Sequence, residues 1–242
     1  MATPTLRLQA FAGLPKADRA RIDSLSRRAV RDLPARRDLV REGERPRSVF
    51  ILLDGWACRY RMLPDGRRQI VALLLPGDPC DPVLSPAHEA DHSVGSITAI
   101  SVAEIGRDEF EQMLDQHPRI VRALYQDQLA KSAIQREWAV NLGQRSSYER
   151  ISHLMCETVV RLRSVGLSDG RSCTFPLTQV DLADATGLTA VHVNRTLQEL
   201  RHDGIIALQS RTLIVPDLAR LKAAALFNDS YLHLGREGAK RG

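Results

Sequence analysis

The spacing of apolar residues changes character several times along the chain. Over Lys16–Arg31, Ala20, Ile22, Leu25 and Ala29 recur among charges at helical intervals, predicting a short amphipathic helix that ends near Pro34. After Arg36 the pattern shortens into Asp38–Arg41, Ser48–Asp54, Ala57–Met62, Gln69–Leu75 and Ser96–Glu104. Turn signals separate these segments: Glu42-Gly43, Asp54-Gly55, Pro64-Asp65-Gly66 and Pro76-Gly77-Asp78. Many short strands at this spacing predict a β-roll of jelly-roll type.

Helical spacing returns at Asp108–Asp115. Pro118, suited to a first helical turn, opens a run to about Leu142 carrying Ile120, Val121, Leu124, Leu129, Ile134, Trp138 and Leu142. About 25 residues of helix reach roughly 37 Å, more than a small roll can cover. Two readings stay open: an ordinary core helix, or one that pairs with its twin in a homodimer through Ile120, Leu124, Ile134 and Trp138. A further helix is expected from Ser146 or Ser147 to Gly166, with Ile151, Leu154, Met155, Thr158, Leu162 and Val165 on one face. Ser168–Ser172 reads as a polar loop, and Phe227–Gly242 as a loosely attached end.

The block LTQVDLADATGLTAVHVNRTLQELR, Leu177–Arg201, carries the most specific pattern. Thr178 is placed as an N-cap with Asp181 three residues on, a relative of the capping box. Gly187 breaks the helix where a tight turn needs positive φ. Thr189 caps a second helix whose Val193, Leu197 and Leu200 point inward while His192, Asn194, Arg195, Gln198 and Glu199 stay outward. This is a helix-turn-helix pattern, in which the second helix fits the DNA major groove. Thr189, Ala190, Val191, His192, Asn194 and Arg195 are the candidate base contacts, Arg195 having the planar fork that suits guanine. Thr178 and Gln179 would meet the phosphate backbone. Asp203-Gly204, Ile205–Leu208, the turn Ser210-Arg211 and Thr212–Val215 read as a two-stranded wing, with Ser210 and Arg211 as further backbone contacts.

The totals refine this picture little. The net charge of +5 permits a polyanionic partner, but residues 1–143 hold 21 basic and 19 acidic groups and residues 144–242 hold 13 and 10, so charge alone points to neither half. No apolar run approaches the ~20 residues of a membrane span, and Met1–Leu14 lacks the apolar stretch of a signal peptide. Cys58, Cys80, Cys156 and Cys173 are scattered without metal or disulfide spacing, so a cytoplasmic protein without a metal site is expected. His88-Glu89-Ala90-Asp91-His92 matches the H-E-x-x-H pattern of zinc hydrolases. That chemistry needs both histidines on one face of a stable helix, whereas this segment is polar and fenced by Pro82, Pro86 and Gly95. A metal-dependent hydrolase built on His88 and His92 is thus the alternative function, and a non-DNA dimeric scaffold a third.

The chain resembles the Crp/Fnr family of transcription regulators over roughly Leu33–Leu221. The residues that carry the resemblance are VREGERPRSVFILLDGWACRY, LLPGDPCD and AISVAEIGRDEFEQML in the first half, and LTQVDLADATGLTAVHVNRTLQELRHDGII in the second. The resemblance implies an α+β chain: a cyclic-nucleotide-binding-like roll over 1–115, a dimerisation helix over 116–143, a winged helix-turn-helix over 144–225 and a tail over 226–242. It further implies a homodimer on a palindromic site with half-sites ~34 Å apart, and contact with RNA polymerase. By motif position Ala190, Val191, Asn194 and Arg195 face the bases; Val191 stands where many relatives carry an acidic residue and can offer only an apolar contact, such as to a thymine methyl. The ribose- and phosphate-holding pairs of cyclic-nucleotide-binding relatives fall near Asp81-Pro82 and Ala90-Asp91. The phosphate-neutralising arginine is missing there and Asp91 would repel a phosphate, so Asp81, Ala90 and Asp91 mark a pocket for which no cyclic nucleotide is expected. With no grouped cysteines before Arg36, no iron–sulfur cluster is expected either. The effector has no expected identity.

Overall fold

The computed structural model describes residues 13–80 and 89–234. They form two compact units, one running to Lys131 and taking in Leu234, the other Ser132–His233.

In the first unit, α1 (Lys16–Arg28) leads into β1 (Val30–Leu33), β2 (Asp38–Val40), β3 (Ser48–Asp54), β4 (Ala57–Met62), β5 (Arg68–Leu74), β6 (Ser93–Ser96) and β7 (Ile100–Gly106). These make two antiparallel sheets, β1-β7-β3 and β2-β6-β4-β5. The uninterrupted apolar run of β3 follows from its position between two cores. Phe50 and Leu52 face the roll interior with Leu39, Val40, Ala57, Leu74, Val94, Ile100 and Val102. Val49, Ile51 and Leu53 point the other way, onto Ile22 and Leu25 of α1, Phe110 and Met113 of α2 (Arg107–Gln116), and Ile120 and Leu124 of α3 (Pro118–Gln144). A strand buried on both faces loses the period-two alternation and reads as a continuous run.

Three expectations change here. The first helix stops at Arg28, and Val30–Leu33 becomes an edge strand paired with β7, its Val-Arg-Asp-Leu order too polar to stand out from the helix before it. Ser96–Glu104 is two strands, because Ile97 and Thr98 turn to donate their N–H groups to the Trp56 carbonyl. The side chains expected on a dimer face, Ile120, Leu124, Ile134 and Trp138, are all buried by their own chain. Outward on α3 stand Tyr125, 57% exposed, and Leu129, 48% exposed, one helical turn apart.

In the second unit, α4 (Ser147–Ser164) starts at a full capping box, Ser146 with Glu149, and its apolar face packs on the helices that follow. β8 (Ser172–Thr174), α5 (Gln179–Thr186), α6 (Ala190–His202), β9 (Ala207–Gln209), β10 (Thr212–Ile214), α7 (Leu218–Ala224) and a 3-10 turn (Asp229–Leu232) complete it. β8, which begins at the last residue of the expected polar loop, pairs with β10 to give the sheet β8-β10-β9. The end of the chain is not loose over its described part: Leu232 is buried, and the Phe227 and Tyr231 rings pack on His153 of α4.

That contact closes a buried polar cluster. Glu157, 1% exposed, accepts hydrogen bonds from Trp138 Nε1 at 2.9 Å, Tyr231 Oη at 3.1 Å and Arg161 Nη1 at 3.1 Å. Beside it His153 is fully enclosed; its Nε2 lies 3.3 Å from Glu137 Oε1 without the alignment of a hydrogen bond. Burial, helped by the Arg145 guanidinium, pushes the His153 imidazole down to about 3. Its folded value thus lies below the ordinary 6.5, so an unfolded chain binds a proton that the folded chain refuses. Stability is therefore full above about pH 6.5 and is lost as pH falls toward 3, by about 1.4 kcal/mol per unit. We expect the free energy of urea unfolding to be about 2 kcal/mol lower at pH 5 than at pH 7. His153→Phe should flatten this slope; an unchanged slope would assign the acid sensitivity to other groups.

Candidate nucleic-acid interface

The helix-turn-helix is built by local rules that the sequence already carries. Thr178 Oγ1 accepts from the Asp181 N–H at 3.1 Å while the buried Asp181 carboxylate accepts from the Thr178 N–H at 2.9 Å, a reciprocal capping box that fixes the start of α5. Arg150 closes the other end, donating to the Thr186 carbonyl at 2.7 Å. Gly187 follows with φ 65°, a left-handed conformation that costs other residues about 1–2 kcal/mol. A side chain there would also meet Leu142, since an ideal Cβ falls 3.2 Å from its Cδ2. Thr189 then caps α6 by accepting from the His192 N–H.

On α6, Val193, Leu197 and Leu200 are buried as expected, with Thr196 beside them. The opposite face presents Val191, His192, Asn194, Arg195, Gln198 and Glu199 to solvent. Val191 is 81% exposed, an apolar side chain that no part of its own fold covers. The Arg195 side chain is exposed and takes part in none of the side-chain hydrogen bonds or ion pairs among the described residues. With no acidic residue in its first turn, the N-terminus of α6 keeps the positive end of its helix dipole unneutralised. Thr189, Ala190, Val191, His192, Asn194 and Arg195 thus lie together on the first two turns of one helix.

The expected backbone contacts are sorted by what is still available to bind. Thr178 Oγ1 donates its proton to Asp181 Oδ2 at 2.7 Å, so it has none left for a phosphate; the main-chain N–H groups that begin α5 are the donors there. Gln179 turns its Nε2 toward Asn194 Oδ1, 3.2 Å away, a link that sequence spacing did not suggest. Ser210 and Arg211 form the two-residue turn of the β9–β10 hairpin, with Gln209 opposite Thr212. Both have positive φ, 46° and 65°, as a type I′ turn demands, although neither is Gly or Asn. Arg211 is held there by its carbonyl, which accepts from the Phe175 N–H at 2.7 Å.

Strain kept at an exposed basic turn suggests a use for the side chains. Replacing Ser210-Arg211 by Asn-Gly should raise the domain's stability by about 1 kcal/mol in a denaturant melt. The same variant should weaken DNA binding about equally on all sequences; unchanged affinity in a gel shift would remove the wing tip from the interface.

Of the sensor-pocket residues, Asp81 lies outside the described residues. Ala90 packs against the roll core, and its main chain pairs with Gly43 and Glu44. Asp91 points to solvent; the hydrogen bond from His92 holds its carboxyl below the ordinary carboxylate value, so it is negative at neutral pH. Arg59 of β4 directs its guanidinium to the carbonyls of Cys80 and Pro79, at 3.0 and 3.1 Å. The hydrolase alternative fails on backbone geometry. Glu89–His92 is not helical, and Ala90 is bridged to another loop, so His92 does not lie on a helix. His88 lies outside the described residues, and Glu89 is paired with Arg45. Among the described residues no group of three His, Cys, Asp or Glu is arranged to hold a metal ion.

Comparison with known proteins agrees with this geometry. Residues 30–117 match the cyclic nucleotide-binding domain and residues 149–224 the Crp-like helix-turn-helix domain. The chain is 32% identical over 179 residues to the nitrogen fixation regulation protein FixK of Bradyrhizobium diazoefficiens, covering 74% of each chain. The chain belongs to the Crp/Fnr family. It is also 32% identical over 196 residues to the transcriptional activator protein FnrL of Cereibacter sphaeroides, covering 79% of this chain and 78% of that one. The solved structure of FixK2 from Bradyrhizobium japonicum shares the fold, with a TM-score of 0.73 at 24% identity over 81% of this chain and 96% of that one. As a Crp/Fnr member the chain is a DNA-binding transcription regulator, and the relatives compared give the hydrolase no support. No helix among the described residues is long and apolar enough to cross a membrane.

Proposed function

We propose that this regulator binds a palindromic DNA site as a homodimer in the cytoplasm, each protomer laying α6 in the major groove, and that it acts on transcription through contact with RNA polymerase. The observation that carries the reading is the exposed face of α6, where Arg195 and Asn194 stand beside Val191 with no structural task that would require all three to be exposed. A guanidinium fork matches guanine O6 and N7, while the N–H groups at the start of α5 and the wing tip at Ser210 and Arg211 suit phosphates. Pairing of two protomers is assigned to the outward face of α3, through Tyr125 and Leu129, which leaves the buried Ile120, Leu124, Ile134 and Trp138 to their own core. The ionised Asp91 disfavours a cyclic nucleotide phosphate beside it. Selection from random duplexes tests the reading: it should return a two-fold symmetric site with half-sites one helical turn apart. An asymmetric site, or binding by a monomer, would contradict it.

A further inference from the structure

We propose that Arg150 is a positioning residue for half-site spacing: its guanidinium clamps the helix-turn-helix to the end of α3 and so sets how far apart a dimer's two α6 helices stand. The inference rests on the reading of the protein as a dimer, paired through α3, on a palindromic site.

Only Arg145 and Ser146 join α3 to α4. So short a link can still swing, and its freedom would pass to α6. Arg150, half-buried on the first turn of α4, restrains it from two sides. Its Nη2 donates to the Arg145 carbonyl in the link at 3.0 Å, while Nη1 donates to the Thr186 carbonyl at the end of α5 at 2.7 Å. The planar guanidinium keeps its donors in a fixed fork. Both acceptors are main-chain oxygens, so neither can be re-aimed by a rotamer change.

Other contacts converge on the same place. Asn141 Nδ2, on the last turn of α3, donates to the carbonyl of Arg150 at 3.3 Å. Arg145 turns its side chain back to Glu137 of α3, 2.6 Å away. Gly187, in the turn between α5 and α6, lets Leu142 of α3 approach to where a Cβ would lie 3.2 Å from its Cδ2. Tyr148, beside Arg150, donates its hydroxyl to Asp203 Oδ2 at 2.9 Å and so ties the start of α4 to the end of α6. The end of α3, the start of α4 and the turn of the helix-turn-helix therefore meet around one guanidinium. Each base pair added between half-sites moves them ~3.4 Å apart and turns one by about 34° relative to the other. A helix-turn-helix fixed to α3 cannot follow that rotation; one held loosely can.

The test is fluorescence anisotropy of the full chain and its Arg150→Ala variant on duplexes that carry the selected half-sites at the selected separation, at one base pair less and at one more. The unaltered chain should prefer the selected separation by about tenfold or more, and Arg150→Ala should narrow that preference to about threefold or less. Base preference within each half-site should stay the same, since no residue of α6 is changed. Tyr231→Phe, which weakens the same unit away from the clamp, should keep the full separation preference. If thermal unfolding shows that Arg150→Ala does not fold, Tyr148→Phe carries the test: it removes one hydroxyl, and should narrow the preference to about fivefold, an unchanged preference overturning the proposal. Arg150→Ala that folds and loses affinity equally at all three separations would also overturn it and leave Arg150 a plain cap of α5. Indifference to separation in the unaltered chain would contradict the palindromic dimer itself and take this inference with it.

Discussion

Replacing Arg195 by alanine should lower affinity for the selected operator by about 1–3 kcal/mol per half-site, about 2–6 kcal/mol for a symmetric dimer complex. The size follows from what the side chain is free to do. The Arg195 side chain is exposed, holds no partner among the described residues, and stands beside the N-terminal turn of α6. Its removal should cost the fold almost nothing, so the loss would fall on binding. Discrimination at one base pair of each half-site should relax, because a bidentate fork to guanine is replaced by no contact. Arg195→Lys separates the two roles of the side chain. It keeps the charge and most non-specific affinity but loses the fork, so specificity should fall while binding to scrambled duplex holds. Equal loss on every sequence would mean that Arg195 touches phosphate only.

Replacing Glu157 by alanine should destabilise the second unit by about 3–5 kcal/mol. The carboxylate is 1% exposed, and its removal would leave Trp138 Nε1, Tyr231 Oη and the Arg161 guanidinium, itself only 7% exposed, without their shared acceptor. Loss of the one carboxylate that three buried donors share dominates that cost. Tyr231→Phe should cost only about 1 kcal/mol, since Trp138 and Arg161 still satisfy Glu157. Urea unfolding followed by tryptophan fluorescence measures both. A Glu157→Ala loss below 1 kcal/mol would show that water or rearrangement replaces the cluster.

What the sequence disclosed follows the range of the forces involved. The helix-turn-helix was legible because each of its signals acts within four residues: Thr178 with Asp181, the left-handed Gly187, the Thr189 cap and the inward period of Val193, Leu197 and Leu200. Which apolar stripe of α3 its own chain buries was not. α3 carries apolar residues on both sides, and periodicity cannot distinguish a stripe covered by its own chain, Ile120 to Trp138, from one left open at Tyr125 and Leu129. The docked chain end was missed for a related reason, since Phe227 and Tyr231 take their meaning from His153 and Glu157 some 74 residues away.

The central claim is that α6 reads base sequence. Fluorescence anisotropy of the full chain on its selected duplex and on a scrambled duplex, between 50 and 200 mM salt, tests it most directly. The account predicts at least about a thousandfold preference for the selected duplex, with affinity for both falling steeply as salt rises. Equal affinity for the two duplexes, or affinity indifferent to salt, would contradict it.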